Sequence, residues 1–222
     1  MAGAALKYRM SYQKNNSLIF ISQLDLQRMF QRAFMRAQVP LMYSNGFNPH
    51  PKMTYSPPVS MFISSACEYL DFETTSDEDP DLILSSLNEV LPDDIIINDI
   101  VKLDENSKSL SKILNWASYQ YTLKNIGELS EEELISEYSC CELNYEKRNK
   151  KNKITKRDLK EYTRNFSVKK SGDLLIINAC HSMENDNMVN ARAFIDLFMK
   201  NSKLAEQMCL LSIRKITVNS DI

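Results

Sequence analysis

A chain of 222 residues, 43% hydrophobic and 25% charged with a formal net charge of -2, can bury one large core or two small ones. This composition is that of an ordinary globular protein and argues against disorder, and no stretch of about 18 uncharged apolar residues offers a membrane span. The opening "MAGAALKYRM" has no basic segment followed by a long apolar one, so no signal peptide is read and a cytoplasmic protein is expected.

Five cysteines, Cys67, Cys140, Cys141, Cys180 and Cys209, include no C-x-x-C pair, which argues for buried free thiols over a disulfide framework or a zinc site. Charge is segregated along the chain. Up to residue 60, Lys7, Arg9, Lys14, Arg28, Arg32, Arg36 and Lys52 stand against Asp25 alone, and residues 147–170 carry eleven bases against Asp158 and Glu161. The span 68–105 is acidic. Basic stretches of this kind steer polyanions, and they also serve as plain solvated surface.

In chain order, "LKYRMSY" alternates Tyr8, Met10 and Tyr12 against Lys7, Arg9 and Ser11, the period of a half-buried strand. "SQLDLQRMFQRAFMRAQ" places Leu26, Met29, Phe30, Ala33, Phe34 and Ala37 on one helical face. Ser22, three before Asp25, marks the start of this helix, and Pro40 is expected to close it. "LMYS" reads as a short strand, "MTYS" as extended and "EYLDFETT" as a strand. Asp79-Pro80 opens a helix that turns Leu84, Leu87 and Leu91 inward, and "DIIINDIVKL" is a strand.

A second round begins near Ser118. "SYQYTL" is a strand, "SEEELISEY" a short helix capped by Ser130, "CELNYEK" a strand, and the basic stretch a connector. "LLIINAC" is a strand, "NARAFIDLFMK" a helix with Ala193, Phe194, Leu197 and Phe198 on one face, and "LLSIRKITV" the closing strand. The order β-α-β-β-α-β therefore occurs twice, which predicts an α+β fold of two ferredoxin-like halves with antiparallel sheets, residues 1–105 and 106–222. "ENSKSLSK" reads as the linker, and Trp116 most simply as core.

Candidate functional residues concentrate in the first half. In "YSNGFNPHPK", Gly46 can take a positive φ, while Pro49 and Pro51 fix their own φ and bias Asn48 and His50 toward extended backbone. Such a stiff loop presents Tyr43, Ser44, Phe47, Asn48, His50 and Lys52 at low entropic cost, suited to a flat or anionic group; its alternative reading is a turn whose Phe47 plugs the core. Arg28, Arg32 and Arg36 recur at every fourth residue on the face opposite the apolar stripe. Their planar forks suit successive phosphates, though an ordinary solvated helix face has the same pattern. No glycine-rich phosphate loop, H-E-x-x-H motif or iron–sulfur cysteine signature is present, so no metal, cofactor or catalytic residue is assigned. His50 is left as a candidate general base, and His181, beside Cys180, reads as structural.

The run "LIFISQLDLQRMFQRAFMRAQVPLMYSNGFNPHPKMTYSPPV", followed by "EYLDFE", resembles the uncharacterised radical SAM-linked protein family, found beside or fused to cobalamin-binding radical SAM proteins. The likeness covers residues 7 to about 75 and is looser beyond, through "ITKRDLKEYTRNFSV" and "LLIINAC". Matching positions are Asp25, Arg28, Arg32, Tyr43, Ser44, Gly46, Phe47, Asn48, Pro49, His50, Pro51 and Lys52; where the family commonly has Ser-His-Leu-Asp, this chain has Gln23 in the histidine position. The resemblance implies a radical SAM partner acting in trans, since this chain lacks the cluster cysteines. The expectation is a non-catalytic accessory that holds RNA through Arg28, Arg32, Arg36 and the loop. A protein adaptor without nucleic acid, or a small RNA-processing enzyme using His50, is the alternative.

Overall fold

A computed structural model describes residues 6–148, 154–184 and 187–220. The chain is of the α+β class with antiparallel sheets, and it divides into two compact units, one running through Ile113 and one beginning at Leu114.

In the first unit, β1 (Leu6–Lys14) buries Tyr8, Met10 and Tyr12 on one side, as the alternation predicts. A short 3-10 turn over Asn16–Phe20 leads to α1 (Gln23–Arg36). Ser22 caps α1, its Oγ accepting the Asp25 N–H at 3.2 Å. Leu26, Phe30, Ala33 and Phe34 are buried, with Phe30 4.8 Å from Tyr12 and Phe34 4.8 Å from Phe72, ring centre to ring centre. Each such ring, taken fully out of water, stabilises the unit by roughly 2 kcal/mol.

Pro40 does not end α1. Gln38 ends it with a left-handed φ of 57°, the Val39 N–H reaching back to the Phe34 carbonyl at 3.1 Å. "LMYS" is not a strand either, since Leu41 and Tyr43 make only isolated bridges. β2 (Met53–Tyr55) and the long β3 (Ile63–Thr74) follow, then α2 (Pro80–Val90), capped by Asp79, and β4 (Ile95–Leu103). α2 turns Ile83 and Leu87 inward and leaves Leu84 half-buried. The strand order is β4-β1-β3-β2, with every neighbour antiparallel. α3 (Leu110–Ile113) closes the unit; its Leu110 is buried where the sequence reads as linker, and Ile113, just past that linker, is buried too.

The second unit runs β5 (Leu114–Asn125), α4 (Glu131–Cys140), β6 (Asn144–Arg148), β7 (Ile154–Asp158), β8 (Thr163–Ser171), β9 (Leu174–Ser182), α5 (Ala191–Asn201) and β10 (Met208–Ser220). α4 opens on a complete capping box, with Ser130 Oγ accepting from Glu133 N and Glu133 Oε2 accepting from Ser130 N. Its sheet order is β10-β5-β9-β8, again antiparallel throughout.

The basic stretch is not a connector. Its described part forms β6 and β7, a hairpin apart from the sheet, and the sheet strand β8. The expected strand "CELNYEK" supplies β6 and pairs only with β7. Within the stretch, the Lys170 ammonium donates to the Leu129 carbonyl at 3.1 Å, and the Lys160 ammonium donates to the Ser139 carbonyl at 3.0 Å.

Candidate functional site

The loop between α1 and β2 is clasped at its base. The Ser44 N–H donates to the His50 carbonyl at 2.8 Å, and the His50 N–H donates to Ser44 Oγ at 3.0 Å. The Lys52 N–H donates to the Met42 carbonyl at 2.8 Å, while the Met42 and Glu73 N–H groups donate to the carbonyls of Glu73 and Lys52, tying both limbs to β3. Above the clasp every residue from Asn45 to His50 is exposed. Gly46 takes φ 139° in open space, a backbone state that favours glycine over any side chain. Phe47 is 107% exposed and Tyr43 43%, so Phe47 plugs no core.

Behind the loop lies a cleft of about 420 Å³ floored by the first unit's sheet. Ser44, His50 and Lys52 form its loop wall, Lys7, Thr54, Asp71 and Glu73 rise from β1, β2 and β3, and Ser107, Lys108 and Ser109 cross the far side. The Lys52 ammonium donates to Glu73 Oε2 at 2.9 Å, and Lys7 stands 4.0 Å from Oε1 of the same carboxylate. The Arg9 guanidinium holds Asp71 through two bonds of 2.7 and 2.9 Å and donates at 2.9 Å to the Lys108 carbonyl, pinning the crossing segment. With Asp71 answered by Arg9, and Glu73 shared by two lysines, Lys108 leaves the cleft with an excess of positive charge.

The pleat decides which predicted residues meet. Tyr8 and Phe72 point toward α1, so Lys7, Asp71 and Glu73, their neighbours along the strands, point to the opposite side. The loop and cleft therefore occupy one face of the sheet, and Arg28, Arg32 and Arg36 lie on the solvent side of the helix covering the other. Arg28 pairs with Asp25 at 3.4 Å, Arg32 Nε donates to the Arg28 carbonyl at 3.2 Å, and Arg36 donates to the Val90 carbonyl at the end of α2 at 2.8 Å. Tyr43, Ser44, Phe47, Asn48, His50 and Lys52 come together; the three arginines form a separate row. Lys7, Arg9, Thr54 and Asp71 were not singled out from the sequence, although the alternation of "LKYRMSY" already sets Lys7 and Arg9 opposite Tyr8.

The imidazole of His50 makes no hydrogen bond to a side chain among the described residues, and the residue is exposed. His181 is fully buried, its Nε2 2.6 Å from Tyr121 Oη and its Nδ1 3.0 Å from Thr163 Oγ1. Burial lowers its pKa to about 3. Trp116 is half-buried, not core, and the Arg164 guanidinium lies 3.7 Å from its ring centre. Among the described residues no group of three or more His, Cys, Asp or Glu side chains is placed to hold a metal ion, and no helix is long and apolar enough to cross a membrane.

Among solved structures, the chain is similar to one in a Cbf5-Nop10-Gar1 complex, at 8% identity over 96% of this chain and 50% of that one, with a TM-score of 0.50. A second likeness, to an H/ACA RNP bound to a substrate RNA containing 2'-deoxyuridine, has 7% identity over 97% of this chain and 49% of that one, with a TM-score of 0.47. The chain thus spans about half the length of these two chains. At such identity the first likeness concerns the fold alone. No curated protein matches. The family model described as "Uncharacterized protein conserved in bacteria (DUF2344)" matches residues 7–193, and the chain belongs to that family.

Proposed function

We propose that the protein is a non-catalytic accessory that binds single-stranded RNA through the Tyr43–Lys52 loop and the cleft behind it. The RNA would be offered to a radical SAM enzyme acting in trans, the partner that the family resemblance implies. The observation that carries the RNA reading is Phe47, wholly exposed at the tip of a loop whose base is clasped by backbone hydrogen bonds. A phenyl ring held in water by a preorganised loop is an unfavourable placement that stacking on a base would relieve, at about 1–3 kcal/mol per base. Lys7, Lys52 and Lys108 line the cleft behind that loop for the phosphates, and Ser44 and Thr54 add hydroxyls for base or ribose edges. We read the first unit, whose elements run β-α-β-β-α-β, as ferredoxin-like, an architecture whose open sheet face is a common frame for RNA; that support is analogy of fold.

Fluorescence anisotropy with a labelled single-stranded RNA across a salt series tests the reading. Phe47→Ala is expected to weaken binding about 5- to 150-fold, the equivalent of one lost stack. Lys7→Ala and Lys108→Ala are each expected to flatten the dependence of log K on log salt by about 0.7, the value for one phosphate of a single strand. Binding that is indifferent to salt, or equally tight in Phe47→Ala, would sink the proposal.

A further inference from the structure

We infer that the solvent face of the α1–α2 layer is a self-association surface on which a second copy of this chain docks by a two-fold axis. The inference stands apart from the RNA reading, because it concerns the opposite side of the first unit.

The two helices lie side by side, joined where Arg36 Nη2 donates to the Val90 carbonyl at 2.8 Å. Their inner faces are consumed by the core through Leu26, Phe30 and Phe34 of α1 and Ile83 and Leu87 of α2. What remains outside is opposite in sign. α1 presents Arg28, Arg32 and Arg36 against Asp25, which pairs with Arg28, and α2 presents Asp81 and Glu89. Arg32, Arg36, Asp81 and Glu89 form no ion pair among the described residues, although they occupy neighbouring helices. Each helix also carries bare apolar side chains amid its charges: Leu24 and Met35 on α1, 56% and 66% exposed, and Leu82 on α2, 66% exposed.

A surface made of one basic helix beside one acidic helix is self-complementary. A two-fold axis running between the helices sets each α1 on its partner's α2, so arginines face carboxylates, and the bare apolar side chains are covered, twice over. Closed two-fold dimers are the commonest soluble assembly, and Arg and Met are enriched at interfaces. A nucleic acid has no use for the acidic helix, which would repel phosphates beside the arginines; a second copy uses both. With α1 about 21 Å long and α2 about 16 Å, the patch is small and its specificity electrostatic, so the dimer is weak and salt-sensitive.

Sedimentation velocity of the intact chain at about 50 mM and about 500 mM salt, over a concentration series, reads this directly. Wild type is expected to dimerise at low salt and dissociate at high salt. Arg32→Glu and Glu89→Lys, both exposed substitutions that leave the fold intact by circular dichroism, are each expected to weaken the dimer at least about tenfold. Combining them in one chain restores it, because the charges still complement after the swap. Met35→Glu tests the apolar part and is also expected to dissociate the dimer. A wild type that stays monomeric throughout overturns the inference, as does a dimer unchanged by Arg32→Glu. RNA binding that Arg32→Glu abolishes, with no dimer at any concentration, would assign the face to nucleic acid instead.

Discussion

His181 is wedged between hydroxyls on strands far apart in sequence, Tyr121 on β5 and Thr163 on β8, with Phe194 packed at 4.5 Å between ring centres. A neutral imidazole donates through one nitrogen and accepts through the other, so both are satisfied without charge. Burial holds its pKa at about 3, below the ordinary 6.5, and protonation therefore favours the unfolded chain. The stability that follows is complete above pH 6.5 and is lost as pH falls from there toward 3, by about 1.4 kcal/mol per unit. Denaturant midpoints between pH 6.5 and 5.5 are expected to drop in wild type and to lose most of that slope in His181→Asn; an unchanged slope in the variant would refute the assignment. That His181 is structural was readable from the sequence, but its partners were not legible in "NACHSMEND", because they come from strands far along the chain. The loop residues were legible because Gly46, Pro49 and Pro51 act on their own backbone.

Helix starts were equally local. Ser22, Asp79 and Ser130 each cap the helix that their spacing predicts, since a cap needs only the next three residues. The end of α1 was not, because Gln38 adopts φ 57°, a state that glycine usually fills and that no residue type here signals. Replacing it with glycine removes the Cβ penalty of the left-handed state while keeping the bond from Val39 to Phe34. Gln38→Gly is expected to stabilise the protein by about 0.5–1 kcal/mol, less than the full penalty because glycine also loosens the unfolded chain. Thermal unfolding checks it: a lowered midpoint would show that the Gln38 side chain contributes more than its backbone state costs. β8 was missed for a different reason. In "TRNFSVKKS" Val168 is the buried residue, and Phe166 lies half-buried at 3.6 Å on Tyr138, so the strand carries polar groups on both faces and reads as a connector.

At the scale of the molecule, the order of elements was readable in the first half and, in the second, everywhere but the basic stretch that forms β7 and β8; the side of the sheet on which each functional group falls was not readable. Arg36 and Ser44 are close in sequence and suggest one site, yet the chain crosses from the helical layer to the sheet edge between them. The strand period then sends Lys7, Asp71 and Glu73 away from α1. Two surfaces of the first unit with no shared residue should act independently, since substitutions without common partners add. Phe47→Ala is expected to dimerise as wild type does while binding RNA weakly. Arg32→Glu is expected to bind RNA with unchanged affinity per chain at a concentration where wild type is itself monomeric. Measuring both properties on both variants, and on the pair combined, gives a complete cycle. A coupling above about 0.5 kcal/mol between loop and helix would mean that one ligand reaches both faces, and a single extended RNA wrapping the sheet edge would replace the two separate surfaces.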